Sequence, residues 1–164
     1  MSAQPLSDQA AIAKEVVEHV IDYMEFPAPV TVEVSESPDQ ITVSLASAHP
    51  LGAIIGKGGQ TLNALEMLVK EIVFHKTRVR GTHITLDAEG YRGRQEGRLR
   101  EIAQEQAQRV LDTGEAVALE PMSARDRRTV HMTLAEIDGI ASYSVGEEPY
   151  RHLVICLPGQ EKDE

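Results

Sequence analysis

The segment that most constrains the fold of this chain is the glycine-rich run Gly56-Lys57-Gly58-Gly59, which stands between two apolar segments. The residues before it read PLGAII, and the residues after it repeat leucine, valine and isoleucine at intervals of three and four. Such intervals are typical of one face of a helix, and we expect a helix over about residues 60–77. Because glycine carries no side chain, the main chain of this run can come very close to a ligand. The sequence therefore predicts a loop that meets its partner through the backbone.

Four kinds of loop could carry this motif. The phosphate loop of nucleotide-binding proteins requires GxxxxGK followed by Ser or Thr, but Gly52 stands one residue too close and Gly58 occupies the hydroxyl position. A dinucleotide-binding fingerprint is matched only in part. The GXXG loop of a KH domain fits better, because its glycines admit a nucleic-acid backbone while a basic residue, here Lys57, faces phosphate. A glycine turn that merely joins two helices is the fourth possibility.

Two predicted elements near the start of the chain help to choose among these four kinds of loop. Apolar residues at helical intervals predict a helix over residues 8–24, for which Ser7 is a suitable cap. Alternating apolar residues at 30–34 and 41–45, with turn residues at 37–39 between them, predict an antiparallel hairpin.

The order of elements then becomes that of a type II KH domain. After the hairpin come the apolar segment 50–55, the GXXG motif, the helix over 60–77 and a strand at 83–87. Within the apolar segment, Leu51 and Ile54 should pack on the sheet, whereas Ile55 can form the floor of a groove for bases. The sequence therefore predicts a type II KH domain over residues 1–89.

The rest of the chain reads as a second unit over residues 90–159, followed by a disordered tail at 160–164. We expect a long helix over 91–113 that ends at Gly114, and then a short strand over 115–120. Ser123 should cap a further helix, and a closing hairpin should follow. The predicted fold class is α+β with two small domains. The first turns of the long helix carry Arg92, Arg94, Arg98 and Arg100.

The formal net charge of −10 argues against nucleic-acid binding until the charges are located. Residues 1–40 and 101–164 are strongly acidic, whereas residues 57–100 hold nine Lys or Arg against five Asp or Glu. Phosphates respond to the field within about a Debye length, roughly 8–10 Å, so a local basic region can still bind them. The acidic remainder predicts weak non-specific binding.

A second cationic group is predicted around Arg127 and His131, which lie four residues apart and so share a helical face. Arg128 stands beside them. An arginine can donate two hydrogen bonds to one phosphate, and a histidine can donate to the next phosphate or stack on a base. We expect both Arg127 and His131 to be exposed. The alternative is a solvated helix face with an incidental histidine.

Beyond these motifs, the chain resembles a known family. The runs IIGKGGQTLNALEMLVKEIV, THITLDAEGYRGR, ALEPMSARDRRTVHMTL and SYSVGEEPYRHLVICLP are similar, in this order, to the bacterial Jag proteins, also called KhpB, in which a KH domain precedes an R-three-H domain. The resemblance implies that Gly56 to Gly59 grip RNA and that Arg127 and His131 form the Arg-x-x-x-His signature. It also implies a small separate KH protein as a possible partner. Two departures are a start too short for the further N-terminal domain of many members, and Gly58 where a second basic residue often stands.

The sequence thus predicts an RNA-binding protein without catalytic activity, acting on single-stranded RNA as a bacterial post-transcriptional regulator or RNA chaperone. Single-stranded DNA, a protein adaptor docking through the acidic N-terminal helix, and an undetected hydrolase remain alternatives. No cofactor or metal is expected, since no catalytic motif or zinc spacing occurs and Cys156 is the only cysteine. The chain lacks a signal peptide or apolar span, which predicts a cytoplasmic location. The predicted RNA-binding residues are Ile55, Gly56, Lys57, Gly58, Gly59, Arg92, Arg94, Arg127, Arg128 and His131.

Overall fold

The computed structural model describes residues 6–161 and divides the chain into two compact units. The first unit ends at Arg92 and the second begins at Gly93. Each unit packs helices on one small sheet, which confirms the predicted α+β class with two domains.

The first unit contains a three-stranded sheet with helices packed on it. Its strand order is β1-β2-β3, in which β1 and β2 run antiparallel and β3 runs parallel to β2. Ser37 pairs with Gln40 across the predicted turn, so the hairpin is confirmed. The elements are α1 (Leu6–Tyr23), β1 (Val30–Ser37), β2 (Gln40–Ser47), α2 (Gly52–Ile55), a 3-10 turn (Lys57–Gly59), α3 (Gln60–Thr77) and β3 (His83–Ala88).

The core of the first unit follows from the apolar periodicity of these elements. Alternate residues of the strands face one side of the sheet, where Ile41, Val43 and Leu86 are completely buried. Helix α3 covers them with Leu62 and Val69, which are also completely buried. The short α2 is anchored in the same core, as predicted, because Leu51 and Ile54 are buried while Ile55 is partly exposed. The packing of α2 and α3 fixes the position of the loop between them.

The second unit has a three-stranded sheet of order β4-β6-β5, antiparallel throughout. Small and branched side chains of α4, namely Ala103, Ala107 and Val110, pack against Val130 of α5 and Ile155 of β6. Ser123 caps α5 by accepting a hydrogen bond from the Asp126 N–H at 3.2 Å, as predicted. The elements are α4 (Tyr91–Thr113), which begins in the first unit, β4 (Val117–Ala118), α5 (Ala124–Leu134), β5 (Ala141–Val145) and β6 (His152–Cys156).

Two predictions about element ends are wrong. Ser7 lies inside α1 and not at its cap. Strand β4 has only the two residues Val117 and Ala118, although the Leu119 N–H still bonds to the Leu153 carbonyl in the same register. The Gln160 N–H donates to the Leu157 carbonyl at 3.1 Å, and the disorder of residues 160–164 stays a prediction. Residues 162–164 lie outside the described part. No helix within residues 6–161 is long and apolar enough to cross a membrane.

Candidate nucleic-acid interface

The backbone of the GXXG loop has a shape that only glycine adopts easily. Gly56, Gly58 and Gly59 have φ angles of +73°, +58° and +78°, in the range that side chains disfavour. These angles turn the chain sharply between the end of α2 at Ile55 and the start of α3 at Gln60. The main chain of Lys57 and Gly58 is therefore exposed at the start of α3.

Neighbouring atoms restrict two of these glycines further. A Cβ atom on Gly56 would come within 2.2 Å of the Thr61 Oγ1 and 2.8 Å of its backbone nitrogen. A Cβ atom on Gly59 would come within 2.9 Å of Cε1 in the Tyr91 ring. At Gly58 nothing lies within 4 Å of such an atom, so its outer side is open. The loop is packed at both ends and accessible in the middle.

The accessible part of the loop suits an anion. Lys57 is exposed and forms no ion pair with any of residues 6–161. Gly59, the N-cap of α3, makes no side-chain cap hydrogen bond, and the 18-residue helix directs its positive dipole end towards the loop. A free ammonium group and helix N–H groups at one place can bind phosphate. Ile55, partly buried next to Gly56, provides apolar surface beside them.

Arg92 lies within the first unit and is held by other residues. Its guanidinium donates to the Leu86 carbonyl, to Asn63 Oδ1 at 3.0 Å and to Glu66, and only 13 % of the side chain is exposed. These contacts leave little of Arg92 for a phosphate. These contacts make Arg92 part of the architecture of the first unit, and its role in RNA binding stays a prediction. Arg94, which belongs to the second unit, is exposed.

Glu66 is the acidic centre of this network. Burial by itself would raise the pKa of Glu66, but hydrogen bonds from Lys70 and the Leu86 N–H, with the charge of Arg92, outweigh it and lower the pKa. The ionised carboxylate thus joins α3 to β3 and to the first turn of α4.

Arg127 is buried, so the prediction that it is exposed is wrong. Only 10 % of its side chain is exposed. Its Nη1 donates to the Met122 carbonyl at 2.7 Å, and its Nη2 donates to Glu148 Oε1 at 2.8 Å. The guanidinium therefore connects the segment before α5 to the turn between β5 and β6. A helical spacing gives the direction of a side chain but not what covers it, and here residues of the β5–β6 turn cover Arg127.

The exposed cations of α5 are next to Arg127 and not Arg127 itself. Arg125 and Arg128 are exposed and form no ion pairs among the described residues. His131 is exposed as predicted, and its Nδ1 lies 2.7 Å from the Ser142 Oγ on β5. This contact fixes the ring and leaves Nε2 pointing away from that bond. We call the residues Arg125, Arg128 and His131 the α5 cationic face.

No pattern in the sequence indicates the roles of two residues that shape this region. Glu148 lies in the β5–β6 turn and Ser142 in β5, so neither stands at a helical interval from its partner. Glu148 is 21 residues from Arg127 in the sequence, and Ser142 is 11 residues from His131, so these contacts become visible only in the folded chain.

Comparison with known proteins decides the family. A model described as "KhpA/KhpB, KH domain" matches residues 12–83, and an R-three-H domain model matches residues 97–157. The chain is 35% identical over 159 residues to the RNA-binding protein KhpB of Clostridium symbiosum, covering 97% of this chain and 69% of that protein. It belongs to the KhpB family.

Other members of the KhpB family agree with this assignment. The chain is 34% identical to the RNA-binding protein KhpB of Bacillus subtilis over 145 residues, which cover 87% of this chain and 68% of that protein. It is 30% identical to that of Streptococcus pneumoniae over 151 residues, or 90% of this chain and 45% of that protein. The chain therefore spans less than half of the pneumococcal KhpB protein. The family resemblance seen in the sequence motifs is confirmed.

Proposed function

We propose that this chain binds single-stranded RNA, with the GXXG loop of its first unit as the principal grip. The observation that carries the proposal is the loop itself: three glycines at positive φ leave the main chain of Lys57 and Gly58 exposed at the start of α3, and the Lys57 ammonium forms no ion pair with any of residues 6–161. KhpB relatives are named RNA-binding proteins, which supports RNA over single-stranded DNA.

In this proposal a phosphate lies against residues 56–59 and the neighbouring bases lie over the apolar surface at Ile55. A KH groove of this kind takes about four nucleotides. Lys57 supplies charge, while the glycines supply close approach. Because the loop offers one cation only, its affinity should be modest.

The α5 cationic face is the proposed contact of the second unit. Arg128 can donate to phosphate and His131 can donate from Nε2 or stack on a base. Arg127 acts as a positioning residue in this account, since its guanidinium is already bonded to Met122 and Glu148. With two binding units on one chain, each raises the effective concentration of the strand for the other.

The biological role that fits is that of a post-transcriptional regulator or RNA chaperone that binds RNA without changing it chemically. A separate small KH protein is a partner suggested by the name of the matched family model, which covers both KhpA and KhpB. The cytoplasmic location stays a prediction from the sequence.

A second candidate function, docking of another protein, is favoured by one groove. About 530 Å³ of space lies between the end of α1 and β1, with the apolar side chains of Ile21 and Phe26 inside it. Glu18, Asp22 and Glu25 line the same groove. An apolar groove with an acidic rim can accept a basic segment of a partner protein, whereas it repels RNA.

Salt dependence of RNA binding separates the two candidates. If about three to five phosphates are contacted, log affinity for a labelled single-stranded RNA should fall against log salt with a slope of about 0.7 per contact. A slope near zero, or no binding at low salt, would remove the electrostatic basis of the proposal and favour the docking function.

A further inference from the structure

The first unit contains a cavity at the carboxyl end of α3, away from the GXXG loop. Its volume is about 270 Å³, and its polar and aromatic lining comes from Gln9 of α1, from Lys70, Glu71 and Phe74 of α3, and from Arg80 and Thr82 of the following loop. It has no residue in common with residues 56–59. Since α3 has 18 residues, its two ends are roughly 27 Å apart. The volume is just below that of sites for drug-sized ligands and fits a smaller planar group.

An unsatisfied amide lines this cavity. Gln9 is only 3 % exposed, and its Oε1 is buried without a hydrogen-bond partner. A buried amide oxygen without a partner destabilises a protein, because it has lost its hydrogen bond to water and gained none in return. Such a group at a cavity wall is suited to a ligand that donates a hydrogen bond.

A stacking surface stands at the same cavity. The Arg80 guanidinium carbon lies 4.2 Å from the centroid of the Phe74 ring. The backbone sets up this contact: α3 ends in a left-handed residue, Arg78 with φ +60°, and Gly81 with φ +96° turns the chain back towards β3. Arg80 is exposed and has no ion pair among the described residues. One face of its guanidinium plane is therefore occupied by Phe74 while the other can receive a base.

We propose that this cavity binds an adenine nucleotide, with the base stacked on Arg80 and its edge hydrogen-bonded to Gln9. A glutamine amide matches adenine, because its oxygen accepts from the exocyclic amine while its nitrogen donates to a ring nitrogen. Arg80 and the Lys70 ammonium, which contacts Glu66 and has further donors, supply positive charge for the phosphate. The nucleotide is either free AMP or an adenosine within an RNA strand, and both present the same chemistry.

Heteronuclear NMR on the full chain tests this proposal and separates the two sources. Titration with AMP should shift the Gln9 side-chain amide and the Gly81 N–H in a saturable way, whereas ribose 5-phosphate should not. If AMP leaves these signals unchanged and a tetra-adenylate shifts them while a tetra-uridylate does not, the source is a strand. The proposal is overturned if neither adenine ligand shifts them, or if UMP or ribose 5-phosphate shifts them as much as AMP.

Variants make the test specific. Arg80→Ala should weaken binding of the adenine ligand about fivefold or more through loss of stacking. Arg78→Asn, an exposed neighbour outside the cavity that tolerates the left-handed conformation, should bind like wild type. Gln9→Leu should abolish the preference for AMP over UMP while the chain stays folded. The double change Lys57→Asp with Gly58→Asp should leave these shifts intact, so failure of the RNA grip and failure of this site are distinguishable. Equal ligand affinity of Arg80→Ala and wild type would contradict the proposed stacking.

Discussion

Arg127 donates a hydrogen bond from Nη2 to Oε1 of Glu148 at 2.8 Å, which joins α5 to the β5–β6 turn within the second unit. His131, one helical turn further along α5, is exposed and instead contacts Ser142. The two residues of the Arg-x-x-x-His signature therefore have different roles. Arg127 links α5 to the β5–β6 turn, and His131 is exposed on the surface of α5.

Replacement of Arg127 should therefore cost stability. In Arg127→Ala the partly buried Met122 carbonyl loses its guanidinium donor, which should lower the free energy of unfolding by about 2 kcal/mol. Urea unfolding followed by circular dichroism measures this change.

Glu148→Ala is the matched control for that variant. Because the Glu148 side chain is 59% exposed, water and salt screen its attraction to Arg127. Glu148→Ala should therefore lower the free energy of unfolding by less than about 1 kcal/mol. If Arg127→Ala unfolds at the same urea concentration as wild type, the structural role assigned to Arg127 is refuted.

The exposed residues of α5 should show the opposite behaviour. Arg128→Ala and His131→Ala should each weaken single-stranded RNA binding about tenfold, the effect of a lost charge-assisted contact, with little change in thermal unfolding. Arg109→Ala removes an exposed charge from α4 instead and should bind RNA almost like wild type. Equal losses in all three variants would mean that net charge matters and that the α5 cationic face is not a specific contact.

The loop glycines can be compared with one another. Gly58→Ala and Gly59→Ala both place a side chain at positive φ, which costs roughly 1–2 kcal/mol. Only at Gly59 does the new methyl group also meet the Tyr91 ring, at 2.9 Å. We expect Gly59→Ala to have a clearly lower unfolding midpoint than Gly58→Ala. Equal unfolding midpoints of the two variants would show that the packing assigned to Tyr91 against Gly59 is incorrect.

These contacts show what the sequence could and could not predict. Element order and the GXXG loop could be predicted because they depend on local apolar periodicity and on glycine, both visible along the chain. The exposure of Arg127 and Arg92 could not, because it depends on Glu148, Glu66 and Leu86, which approach only after folding. A helical interval gives the same signal for a buried arginine as for an exposed one. The two-residue length of β4 could not be predicted either, because it depends on pairing with β6, which forms only after folding.

Acid should destabilise the first unit through Glu66. Since its folded pKa is lowered, its contribution to stability is fully present above the unfolded value near 4.5 and is lost as pH falls through the lower folded pKa. The unfolding free energy of wild type should therefore drop on acidification below about pH 4.5 more steeply than that of Glu66→Gln. Urea titrations at a series of pH values measure both slopes.

Glu71→Gln serves as the control for this experiment, since Glu71 is an exposed carboxylate of the same helix with no ion pair among residues 6–161. It should keep the pH dependence of wild type. Identical acid profiles for Glu66→Gln and wild type would show that the Glu66 network does not stabilise the fold.

If the GXXG loop grips RNA, a reversal of charge in that loop should remove most of the binding. The double variant Lys57→Asp with Gly58→Asp puts two negative charges where phosphate should lie, in an exposed segment whose left-handed position aspartate tolerates. The control, Lys57→Gln with Gly58→Asn, makes nearly the same steric change without negative charge. Circular dichroism should show both variants folded.

Fluorescence anisotropy with a long single-stranded RNA and with a tetranucleotide is the most direct measurement. Wild type should bind the long strand at least about a hundredfold more tightly than the tetranucleotide, because two units on one strand reinforce each other. The double aspartate variant should lose most of its affinity for the long strand, and the neutral control should lose much less. Equal affinity of the double aspartate variant and wild type for the long strand would contradict the account and leave the acidic groove at α1 as the better candidate site.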